Sequence, residues 1–484
     1  MGGGNNVTKQ IEKQLEDIQK VAKLNEGKNL KYSILTMGCQ LNENDSEKLC
    51  GMIEEMNYTK TENLADANLI VFNTCCVREN AEDRLFGKLG EVKKYKEKNG
   101  CIIIIGGCMM QEKQMVNKIK ESYPFVDIVF GPHTMKNLPK DIYERILENK
   151  KIEDILDIDG EILENVPIVR EDKIKASVAI MNGCNNFCTY CIVPYVRGRE
   201  RSRSPIDIYN EIKELAKKGY KEIMLLGQNV NSYLVSERKE NKDLEYIVTI
   251  ENGEKRKVNS FATLLRLINE IEGIERIRFI SPHPKDFTDD VIEAIKDCSK
   301  VCKFIHLPLQ SGSTKVLEKM NRKYTKKQYL ELVEKIREKI PNIEFSTDII
   351  VGFPGETEED FKDTLDVVKK VKYEQIYMFI YSRRIGTVAD KMENQIPEEI
   401  KHERFDRLKK LAEEIIEQKN KKYVGTIQKV LVEGKSKTNE KIYTGRTETN
   451  KVVNFEGNDG MLGKILPLQI ISEHMWYLKG KQIM

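Results

Sequence analysis

The chain has 484 residues, of which 40% are hydrophobic, and its 80 Lys and Arg side chains nearly balance 77 Asp and Glu, giving a net charge of +3. This length predicts about three domains, and the apolar content can supply a core for each, which excludes a peptide or a disordered protein. Eleven cysteines are an odd number in a long chain, so a complete disulfide framework is excluded.

No segment of the sequence is typical of a membrane anchor or a secretory leader. The longest apolar run, residues 101–110, is far shorter than the ~20 residues that cross a bilayer. Residues 1–30 are polar and charged and contain no apolar core of a signal peptide. We therefore expect a cytoplasmic protein without membrane contact, in which thiols stay reduced and are free to bind metal.

The N-terminal part of the chain predicts an extension followed by an α/β domain. Residues 1–29 are mostly polar, with Ile11, Leu15, Ile18 and Val21 at helical spacing, and we expect a poorly ordered extension or a single surface helix. Residues 30–150 alternate between strand and helix patterns, which indicates a Rossmann-like or flavodoxin-like domain with a parallel sheet. The predicted elements are strands over 32–36, 68–73 and 101–105 and helices over 49–56 and 81–98.

The middle of the chain predicts a second α/β domain. Residues 151–172 are acidic and lack a clear period, so we expect a linker there. Over residues 173–410, six strand candidates alternate with helical segments and predict a partial (β/α)6 barrel, whose chemistry would lie at the C-terminal ends of its strands. A charged segment over 237–257 is expected to be a surface loop or hairpin. The strand candidates are 177–181, 222–226, 277–280, 303–307, 344–351 and 375–381.

The C-terminal part, residues 411–484, predicts a small β-rich domain. After a Lys- and Glu-rich helix over 398–420, the sequence changes to short strand-like runs, which indicate a small, OB-like β-barrel or a sandwich. Residues 421–484 contain eleven Lys and Arg against six Asp and Glu, so the positive charge of the chain is concentrated here. The predicted strands are 426–433, 441–446, 451–455 and 465–472.

Three closely spaced cysteines form the strongest motif. Cys184, Cys188 and Cys191 make a CxxxCxxC pattern directly after the first predicted barrel strand. A structural zinc ion normally takes four protein ligands, and no fourth Cys or His lies in this segment. A cubane iron–sulfur cluster held by three cysteines leaves one iron open for a substrate or cofactor. The motif favours the cluster, and a zinc site completed by a distant residue is the alternative.

A second set of cysteines is spread over the first domain. Cys39, Cys75 and Cys108 each follow one of its three predicted strands, beside Gly or Asn residues. Open parallel sheets bind ligands at the carboxyl ends of their strands, so this placement favours a site, with ordinary buried cysteines as the alternative. The remaining cysteines are expected to pack as small apolar side chains; they are Cys50, Cys76, Cys101, Cys298 and Cys302.

The CxxxCxxC motif resembles that of the radical S-adenosylmethionine enzymes, with Tyr190 as the aromatic residue before the last cysteine. The resemblance implies a [4Fe-4S] cluster on Cys184, Cys188 and Cys191. Its open iron would bind S-adenosylmethionine, which would be cleaved to a 5′-deoxyadenosyl radical that removes hydrogen from an unactivated carbon. In such enzymes the cofactor supplies the reactivity, and the protein orients it and excludes water.

The CxxxCxxC motif and the three cysteines of the first domain together resemble those of the methylthiotransferases, which belong to that family. This resemblance implies a second [4Fe-4S] cluster on Cys39, Cys75 and Cys108, where sulfur would be bound and methylated before its insertion. The last domain resembles a TRAM domain, a small RNA-binding barrel. Segments that resemble the subfamily acting on isopentenylated adenosine in tRNA are 193–202, 225–230, 276–279, 306–313, 351–357 and 445–455.

The resemblance implies methylthiolation of carbon 2 of N(6)-isopentenyladenosine beside the tRNA anticodon, with S-adenosylmethionine as methyl donor and as radical source. The implied partners are a tRNA anticodon stem-loop carrying that base and a reductant such as flavodoxin or ferredoxin, and the protein is expected to be a monomer. One alternative is the subfamily that acts on threonylcarbamoyl-adenosine in tRNA. Another is a non-catalytic, metal-dependent RNA-binding protein.

Several further residues are candidates for cofactor contacts. Gly227 and Gln228, after the second barrel strand, would suit the amino group of S-adenosylmethionine, and Gln310, Ser311 and Asp348 would suit its ribose or the substrate base. Hydrogen bonding within turns and at strand ends is the alternative for all five residues.

Basic and aromatic side chains are candidates for contacts with RNA. The arginines that follow the CxxxCxxC motif place positive charge where a carboxylate or phosphate could lie, or they begin a solvated helix; they are Arg197, Arg199, Arg201 and Arg203. In the last domain, Tyr443, Phe455 and Arg446 would suit base stacking and phosphate contacts, although a soluble β-barrel is also rich in Lys.

Overall fold

The computed structural model describes residues 4–77, 80–156, 162, 166–235, 237, 246–436 and 439–483. The chain divides into two compact units, each assembled from separate stretches of sequence. The first contains Met1–Glu171, Asn182–Asn185 and Ile192–Arg201, and the second contains Asp172–Met181, Asn186–Cys191 and Ser202–Met484. Over the described ranges, no helix combines the length and the apolar character needed to cross a bilayer.

The first unit is built on a six-stranded sheet in the order β2-β1-β3-β4-β5-β6. All of its strand pairs are parallel, which confirms the expected parallel α/β domain, and its order is flavodoxin-like, reversing between β1 and β3. The strands are β1 Leu30–Met37, β2 Tyr58–Lys60, β3 Leu69–Thr74, β4 Ile102–Gly107, β5 Ile128–Phe130 and β6 Ile152–Asp154. The helices are Gly4–Asn25, Gln40–Glu55, Asn80–Asn99, Lys113–Ser122 and Leu138–Glu148.

The described part of the N-terminal extension contains a helix, Gly4–Asn25, which was one of the two expectations for this segment. Helix Gly4–Asn25 buries Ile18 and Val21 in one of the cores beside the sheet, and its Lys20 ammonium lies 5.9 Å from the ring centroid of Tyr143. Ile18 and Val21, two of the apolar residues at helical spacing, therefore lie on a face that packs against the α/β domain, whereas Leu15 is 43% exposed.

Part of the expected linker belongs to the α/β domain. Strand β6 adds its residues to the sheet edge beside β5, and further along the backbone N–H of Val169 donates to the carbonyl of Glu47 at 3.0 Å. The strand was not predicted because the segment is acidic and the strand is only three residues long. Residues 157–161 and 163–165 of the expected linker lie outside the described residues.

The second unit contains six parallel barrel strands with bounds close to those expected. They form the three-stranded sheets β13-β10-β7 and β14-β15-β16, and an isolated parallel bridge joins Ile277 of β13 to Val301, which precedes β14 in the chain. This arrangement is an open barrel of βα units, as predicted. The strands along this part of the chain are β7 Lys175–Ala179, β8 Met181–Asn182, β9 Arg201–Ser202, β10 Glu222–Leu226, β11 Tyr246–Thr249, β12 Lys255–Val258, β13 Arg276–Phe279, β14 Phe304–His306, β15 Glu344–Val351 and β16 Gln375–Ile380.

Most helices around the barrel begin at Ser or Thr caps, whose side-chain oxygens accept a hydrogen bond from the first turn. These caps are Ser260, Thr288, Ser313, Thr325 and Thr357. Strands β11 and β12 pair antiparallel, so the charged insertion is a hairpin, although its residues 238–245 lie outside the described residues. The helices around the barrel are Pro205–Lys217, Phe261–Asn269, Asp289–Asp297, Thr314–Lys319, Lys326–Lys339, Glu358–Val371 and Glu398–Tyr423, while the short helix Val193–Val196 in this part of the chain belongs to the first unit.

The C-terminal residues form a closed five-stranded barrel in the order β17-β18-β19-β21-β20. Its strands are β17 Ile427–Lys435, β18 Ile442–Arg446, β19 Val452–Glu456, β20 Ile465–Glu473 and β21 Leu478–Gln482. The guanidinium of Arg278 in β13 donates to the carbonyls of Thr447 at 2.8 Å and Glu448 at 3.0 Å. These hydrogen bonds fasten the small barrel to the strands of the larger one.

Candidate cluster sites and RNA-binding face

The three cysteines of the first domain lie at the carboxyl edge of its sheet. Cys39 is the N-cap of the helix after β1, Cys75 directly follows β3, and Cys108 opens a 3₁₀ turn directly after β4. The sheet reverses its order between β1 and β3, which is where such folds bind ligands. The parallel strands therefore deliver three thiols to one edge from distant points of the sequence.

Cys76, which is expected from the sequence to pack as a small apolar side chain, lies beside these three residues. The thiols of Cys39 and Cys75 hydrogen-bond one another, and those of Cys76 and Cys108 do the same. Cys76 and Cys108 also share a small apolar cluster with Ile192. The only sequence signal for Cys76 was its position beside Cys75.

Two buried asparagines hold the turns that present the thiols. The Asn42 amide donates to the carbonyl of Thr74 at 3.1 Å, and its Oδ1 accepts from the thiol of Cys39 at 3.3 Å. The Asn73 amide donates in return to the carbonyl of Asn42 at 2.8 Å. These bonds tie the turn after β1 to the end of β3 and fix Cys39 relative to Cys75.

Gly107 allows the close approach of the third turn. Its φ is +100°, and a Cβ atom at this position would lie 2.3 Å from the carbonyl oxygen of Thr74. Only glycine adopts this conformation without strain, so Cys108 can lie directly against the end of the neighbouring strand.

The environment of these thiols separates their acidities. A hydrogen bond with Cys76 lowers the pKa of the Cys108 thiol, and the charge of Arg197 lowers it as well, against the effect of burial. The hydrogen bond with Cys75 and burial raise the pKa of Cys39. Within the described part of the chain, no three His, Cys, Asp or Glu side chains are grouped to hold a single metal ion. The site offers paired soft thiol donors, which suit an iron–sulfur cluster.

Two of the four arginines after the CxxxCxxC motif are buried in internal ion pairs, which corrects their expected role as phosphate or carboxylate contacts. Arg197 pairs with Asp45, and Arg203 pairs with Glu211 at 2.8 Å and donates to the carbonyl of Ala179 at 2.7 Å. Arg199 remains exposed. The partner Asp45 was not singled out from the sequence, because the pair spans 152 positions.

The last two cysteines of the CxxxCxxC motif share one turn in the second unit. The N–H of Cys191 donates to the carbonyl of Cys188 at 2.9 Å, and the N–H of Thr189 donates to Met320 at 3.1 Å. Tyr190 packs its ring against a small cluster that includes Met320. Cys184 belongs to the first unit, where its N–H donates to the carbonyl of Gly198 at 3.1 Å.

Arg322, which no motif in the sequence indicated, contacts one of these thiols. Its Nη1 donates to the sulfur of Cys188 at 3.4 Å, and its Nε donates to the hydroxyl of Tyr324 at 3.0 Å. The ring of His283 lies 5.7 Å from that of Tyr324. Burial and then the charges of Arg322 and Lys285 lower the pKa of His283, so its imidazole is neutral beside the cationic guanidinium.

Gln228 presents an unused acceptor at the C-terminal end of β10. Its Oε1 is buried and accepts no hydrogen bond from any described residue. The preceding Gly227 packs closely, since a Cβ there would lie 2.5 Å from Cγ of Met181. A buried acceptor without a partner is costly, so this atom fits a bound donor such as the amino group of S-adenosylmethionine.

The other cofactor candidates have partners within the fold. Gln310 has a φ of +69° and its N–H donates to the carbonyl of Asp348 at 2.8 Å. Ser311 is fully buried and accepts from the N–H of Ser313 at 3.2 Å, which is the bonding expected of a turn residue. The Asp348 carboxylate lies 3.4 Å from Nε2 of His306, so these two side chains form one polar group.

Strand β16 leaves two aromatic side chains uncovered. Tyr377 is 41% exposed and Phe379 is 51% exposed, whereas Ile376 beside them is buried in the core. The ring of Tyr377 lies 5.7 Å from the ring of His306. Strand alternation places Tyr377 and Phe379 on the same face, so that face offers aromatic surface next to His306 and Asp348.

The aromatic residues predicted to stack on RNA are in the core of the small barrel. Tyr443 and Phe455 are each only 2% exposed and belong to its apolar cluster, so this expectation was wrong. These residues alternate with polar ones along their strands because every second side chain of a barrel strand points into the interior. Large side chains such as these fill that interior.

Trp476 is a strongly exposed aromatic residue in the described part of the small barrel. It lies in the turn between β20 and β21 and is 65% exposed. The buried amide of Asn420 donates to the carbonyls of His474 at 2.9 Å and Met475 at 3.2 Å, which fixes the turn. The rings of His474 and Tyr477 stack at 4.4 Å. An ordered turn therefore presents the indole to solvent within a basic domain.

Family models match each of the three folded parts. Residues 31–131 match the Uncharacterized protein family UPF0004, residues 178–368 match the Radical SAM superfamily, and residues 421–483 match the TRAM domain. A radical S-adenosylmethionine methyltransferase from Kitasatospora setae, solved with tryptophan substrate and a cofactor analogue bound, superposes with a TM-score of 0.50 at 13% identity, covering 74% of this chain and 75% of that chain. This likeness concerns the fold alone.

Curated relatives align with almost the whole chain. A tRNA-2-methylthio-N(6)-dimethylallyladenosine synthase from Clostridium botulinum is 53% identical over 470 residues, which cover 97% of this chain and 99% of that protein. A synthase of the same name from Clostridium beijerinckii is 54% identical over 93% of this chain and 95% of its own length. One from Thermoanaerobacter pseudethanolicus is 50% identical over 98% and 97%.

Proposed function

Since the chain belongs to the tRNA-2-methylthio-N(6)-dimethylallyladenosine synthase family, we propose that it inserts sulfur at carbon 2 of N(6)-isopentenyladenosine beside the tRNA anticodon and methylates it. The chain is a radical S-adenosylmethionine methylthiotransferase. The observation that carries the proposal is the alignment with relatives of this name along the α/β domain, the open barrel and the small barrel.

The matched family models imply S-adenosylmethionine and iron–sulfur chemistry. We propose two [4Fe-4S] clusters per chain. Their ligands are Cys184, Cys188 and Cys191 for the radical cluster and Cys39, Cys75 and Cys108 for the auxiliary cluster. Support for the auxiliary cluster comes from the three soft thiol donors that the strands bring to one edge of the sheet.

When bound, the radical cluster supplies the electron that cleaves S-adenosylmethionine, and the auxiliary cluster holds the sulfur for transfer. The residues of the chain orient the reactants around this chemistry. Gln228 accepts a hydrogen bond from the cofactor amino group, and Tyr190 packs beside the cysteine turn. Asp348, within β15, offers a carboxylate oxygen to the ribose hydroxyls or the substrate base, and Gln310 and Ser311 are the further candidates for these contacts.

The partner is a tRNA anticodon stem-loop that carries isopentenyladenosine. Carbon 2 lies on the Watson–Crick edge of adenine, so the base has to leave its stack before it can react. Exposed aromatic side chains can stabilise an unstacked base, and Tyr377 and Phe379 supply such surface in the open barrel. In the small barrel, Trp476 supplies a stacking surface for a neighbouring RNA base.

The proposal also includes a reductant and an oligomeric state. Cleavage of S-adenosylmethionine consumes one electron from outside the chain, so a low-potential carrier such as flavodoxin or ferredoxin is the proposed reductant. The protein acts as a monomer, which light scattering of the reconstituted enzyme with and without tRNA would check.

A mass assay tests the function. Reduced and reconstituted enzyme is incubated with S-adenosylmethionine and tRNA carrying either isopentenyladenosine or threonylcarbamoyl-adenosine, and nucleosides are analysed by mass spectrometry. We expect a gain of one methylthio group on the isopentenylated base only. Modification of only the threonylcarbamoyl base would overturn the substrate assignment, and zinc in place of about eight irons and eight sulfides per chain would overturn the two-cluster enzyme.

Single cysteine variants test the division of roles. Cys184→Ala should abolish formation of 5′-deoxyadenosine, because it removes a ligand of the radical cluster. Cys108→Ala should lose the methylthio product but keep cleavage of S-adenosylmethionine. Cys298→Ala, which removes a buried thiol outside both sets, is the control and should retain both activities. Equal loss of cleavage in the Cys184 and Cys108 variants would contradict the assignment.

A further inference from the structure

The segment Ile192–Arg201 folds with the first unit, against the auxiliary thiols. Its short helix Val193–Val196 packs beside the turn that begins at Cys108. Ile192 and Val196 are buried in one apolar cluster with Cys76 and Cys108. This segment follows Cys191 directly in the chain, so the sequence that ends the radical motif continues into the surroundings of the other thiol set.

Arg197 at the end of that helix contacts a thiol directly. Its Nε donates to the sulfur of Cys108 at 2.9 Å, and its Nη2 donates to Oδ2 of Asp45 at 2.7 Å. Arg197 is 5% exposed and Asp45 is 8% exposed. The backbone N–H of Arg197 also donates to the carbonyl of Val193 at 2.8 Å. Both the side chain and the backbone of Arg197 are therefore held in place.

The ion pair with Asp45 would not by itself require the hydrogen bond from Nε of Arg197 to the sulfur of Cys108. Asp45 compensates the charge of the guanidinium, and the planar fork still has Nε–H to offer a second acceptor. Hydrogen bonds from a charged donor are roughly twice as strong as neutral ones, and they are strengthened further where water is excluded. The geometry directs this donor at a sulfur atom and not at a backbone carbonyl.

Hydrogen bonds to ligand sulfurs have known effects on clusters. They are one of the levers that set the reduction potential of an iron–sulfur cluster, because a donor withdraws negative charge from the sulfur and favours the reduced, more negative cluster. Partners of metal ligands also orient those ligands, and their loss typically costs about 10–100-fold in metal affinity or activity.

We propose that Arg197, oriented by Asp45, is a positioning residue of the auxiliary cluster that donates a hydrogen bond to the Cys108 sulfur and raises the reduction potential of that cluster. This inference rests on the proposed function, since it requires an auxiliary cluster on Cys39, Cys75 and Cys108. It assigns to Arg197 a role toward the cluster in place of the RNA or carboxylate contact expected from its position in the sequence.

The test uses the full chain with Cys184, Cys188 and Cys191 replaced by Ala, so that only the auxiliary cluster remains. Its potential is measured by a redox titration followed by electron paramagnetic resonance, and its stability by the rate of iron loss to a chelator. We expect Arg197→Gln to give a more negative potential and an iron loss about 10-fold faster. Arg197→Lys keeps the charge without the fork and should lie between Gln and the parent.

Arg203→Gln is the matched control, because Arg203 is 6% exposed, close to the 5% of Arg197, and its guanidinium pairs with Glu211 and donates to the carbonyl of Ala179. It should lower the melting temperature and leave the potential unchanged. Asp45→Asn releases the guanidinium and should shift the potential in the same direction as Arg197→Gln. If Arg197→Gln does not fold, Arg197→Lys and Asp45→Asn carry the same comparison.

A failure of the role assigned to Arg197 and a failure of the auxiliary cluster itself would give different results. Potentials of folded Arg197 and Asp45 variants equal to that of the parent would overturn the role of Arg197 while leaving the auxiliary cluster intact. A parent triple-Ala chain that binds no iron after anaerobic reconstitution would overturn the two-cluster proposal itself. A shift of the same size in Arg203→Gln would show a general effect of lost stability and would also overturn the inference.

Discussion

Arg322 donates a hydrogen bond from Nη1 to the sulfur of Cys188 at 3.4 Å, and both side chains are buried. Tyr324 accepts from Nε of the same guanidinium, which leaves the arginine fixed beside the thiol. In the other cysteine set, Arg197 meets Cys108 in a comparable way. One buried arginine thus contacts one thiol of each set, in both cases from a distant part of the sequence.

Replacing Arg322 should weaken the radical cluster. Arg322→Lys retains a positive charge but cannot contact Cys188 and Tyr324 with one planar group, and we expect iron retention and the yield of 5′-deoxyadenosine to fall about 10-fold or more. Arg337→Gln serves as control, because Arg337 donates to the carbonyl of Val371 and lies over Phe345, away from the thiols. Full iron content and full cleavage in Arg322→Lys would refute this role.

Replacing Gln228 should have opposite effects on stability and on cofactor binding. Gln228→Leu removes a buried oxygen without a partner, so the protein free of cofactor should melt at the same or a higher temperature. S-adenosylhomocysteine should bind about 10-fold more weakly in equilibrium dialysis, since one hydrogen bond from its amino group is lost. Gln469→Leu is the control, because Gln469 is exposed on β20, and it should change neither the melting temperature nor the affinity for S-adenosylhomocysteine. Undiminished binding by Gln228→Leu would argue against the contact.

Trp476 offers a direct optical test of RNA binding. It is the only tryptophan in the chain, so the indole emission of the protein reports on this position alone. We expect an anticodon stem-loop to quench that emission on binding. In filter-binding assays, Trp476→Ala should lose about 1–3 kcal/mol of affinity and Trp476→Phe much less.

Leu462→Ala, at another exposed apolar position of the small barrel, is the control for the loss of surface area and should bind normally. RNA binding at full strength with no change in tryptophan emission would exclude stacking on Trp476. The absence of any tRNA binding would instead count against the proposed substrate.

Asp141 should make the stability of the α/β domain depend on pH. It is 2% exposed, and burial, followed by the charge of Asp154, raises the pKa of its carboxyl to about 7. The folded protein therefore favours the protonated acid. The stabilisation is complete below the unfolded pKa of about 3.9 and is lost as the pH rises through about 7.

Asp141→Asn stays neutral at every pH and should be the more stable protein at pH 8 by about 1–3 kcal/mol, with a smaller difference at pH 5. Melting temperatures of both proteins at the two pH values provide the measurement. Asp83→Asn, which changes an exposed carboxylate, should show no such dependence. If the difference in melting temperature between Asp141→Asn and the parent protein is the same at pH 5 and pH 8, a protonated Asp141 is ruled out.

Apolar runs made the long barrel strands predictable. Glu222–Leu226 has the bounds expected from sequence, because its residues after Glu222 are all apolar, as is typical of buried parallel strands. Short or polar strands escaped prediction. β6 has only three residues, and β21 is Leu-Lys-Gly-Lys-Gln, whose two inward residues are Leu478 and Gly480. Their hydrogen bonds come from neighbouring strands, which local composition does not encode.

The strand-end positions of Cys39, Cys75 and Cys108 could be predicted from the sequence, because each cysteine follows a run of residues with strand character. The residues that surround them could not be predicted. Asp45 and Arg197 pair across the fold, and only tertiary structure brings such charges together. Exposure of aromatic side chains was equally hidden, since Tyr443 fills the small barrel while Trp476 lies outside it, and the residue type alone does not distinguish these two places.

The discontinuous first unit limits how this protein can be divided or recombined. A fragment that stops at Glu171 would contain Cys39, Cys75 and Cys108 but would lack Ile192, Val196 and Arg197, which complete their surroundings. The α/β domain is therefore not a transferable module, although a family model covers it as one stretch of sequence. Exchange of this domain between related proteins would have to carry residues 192–201 with it, from the middle of its neighbour.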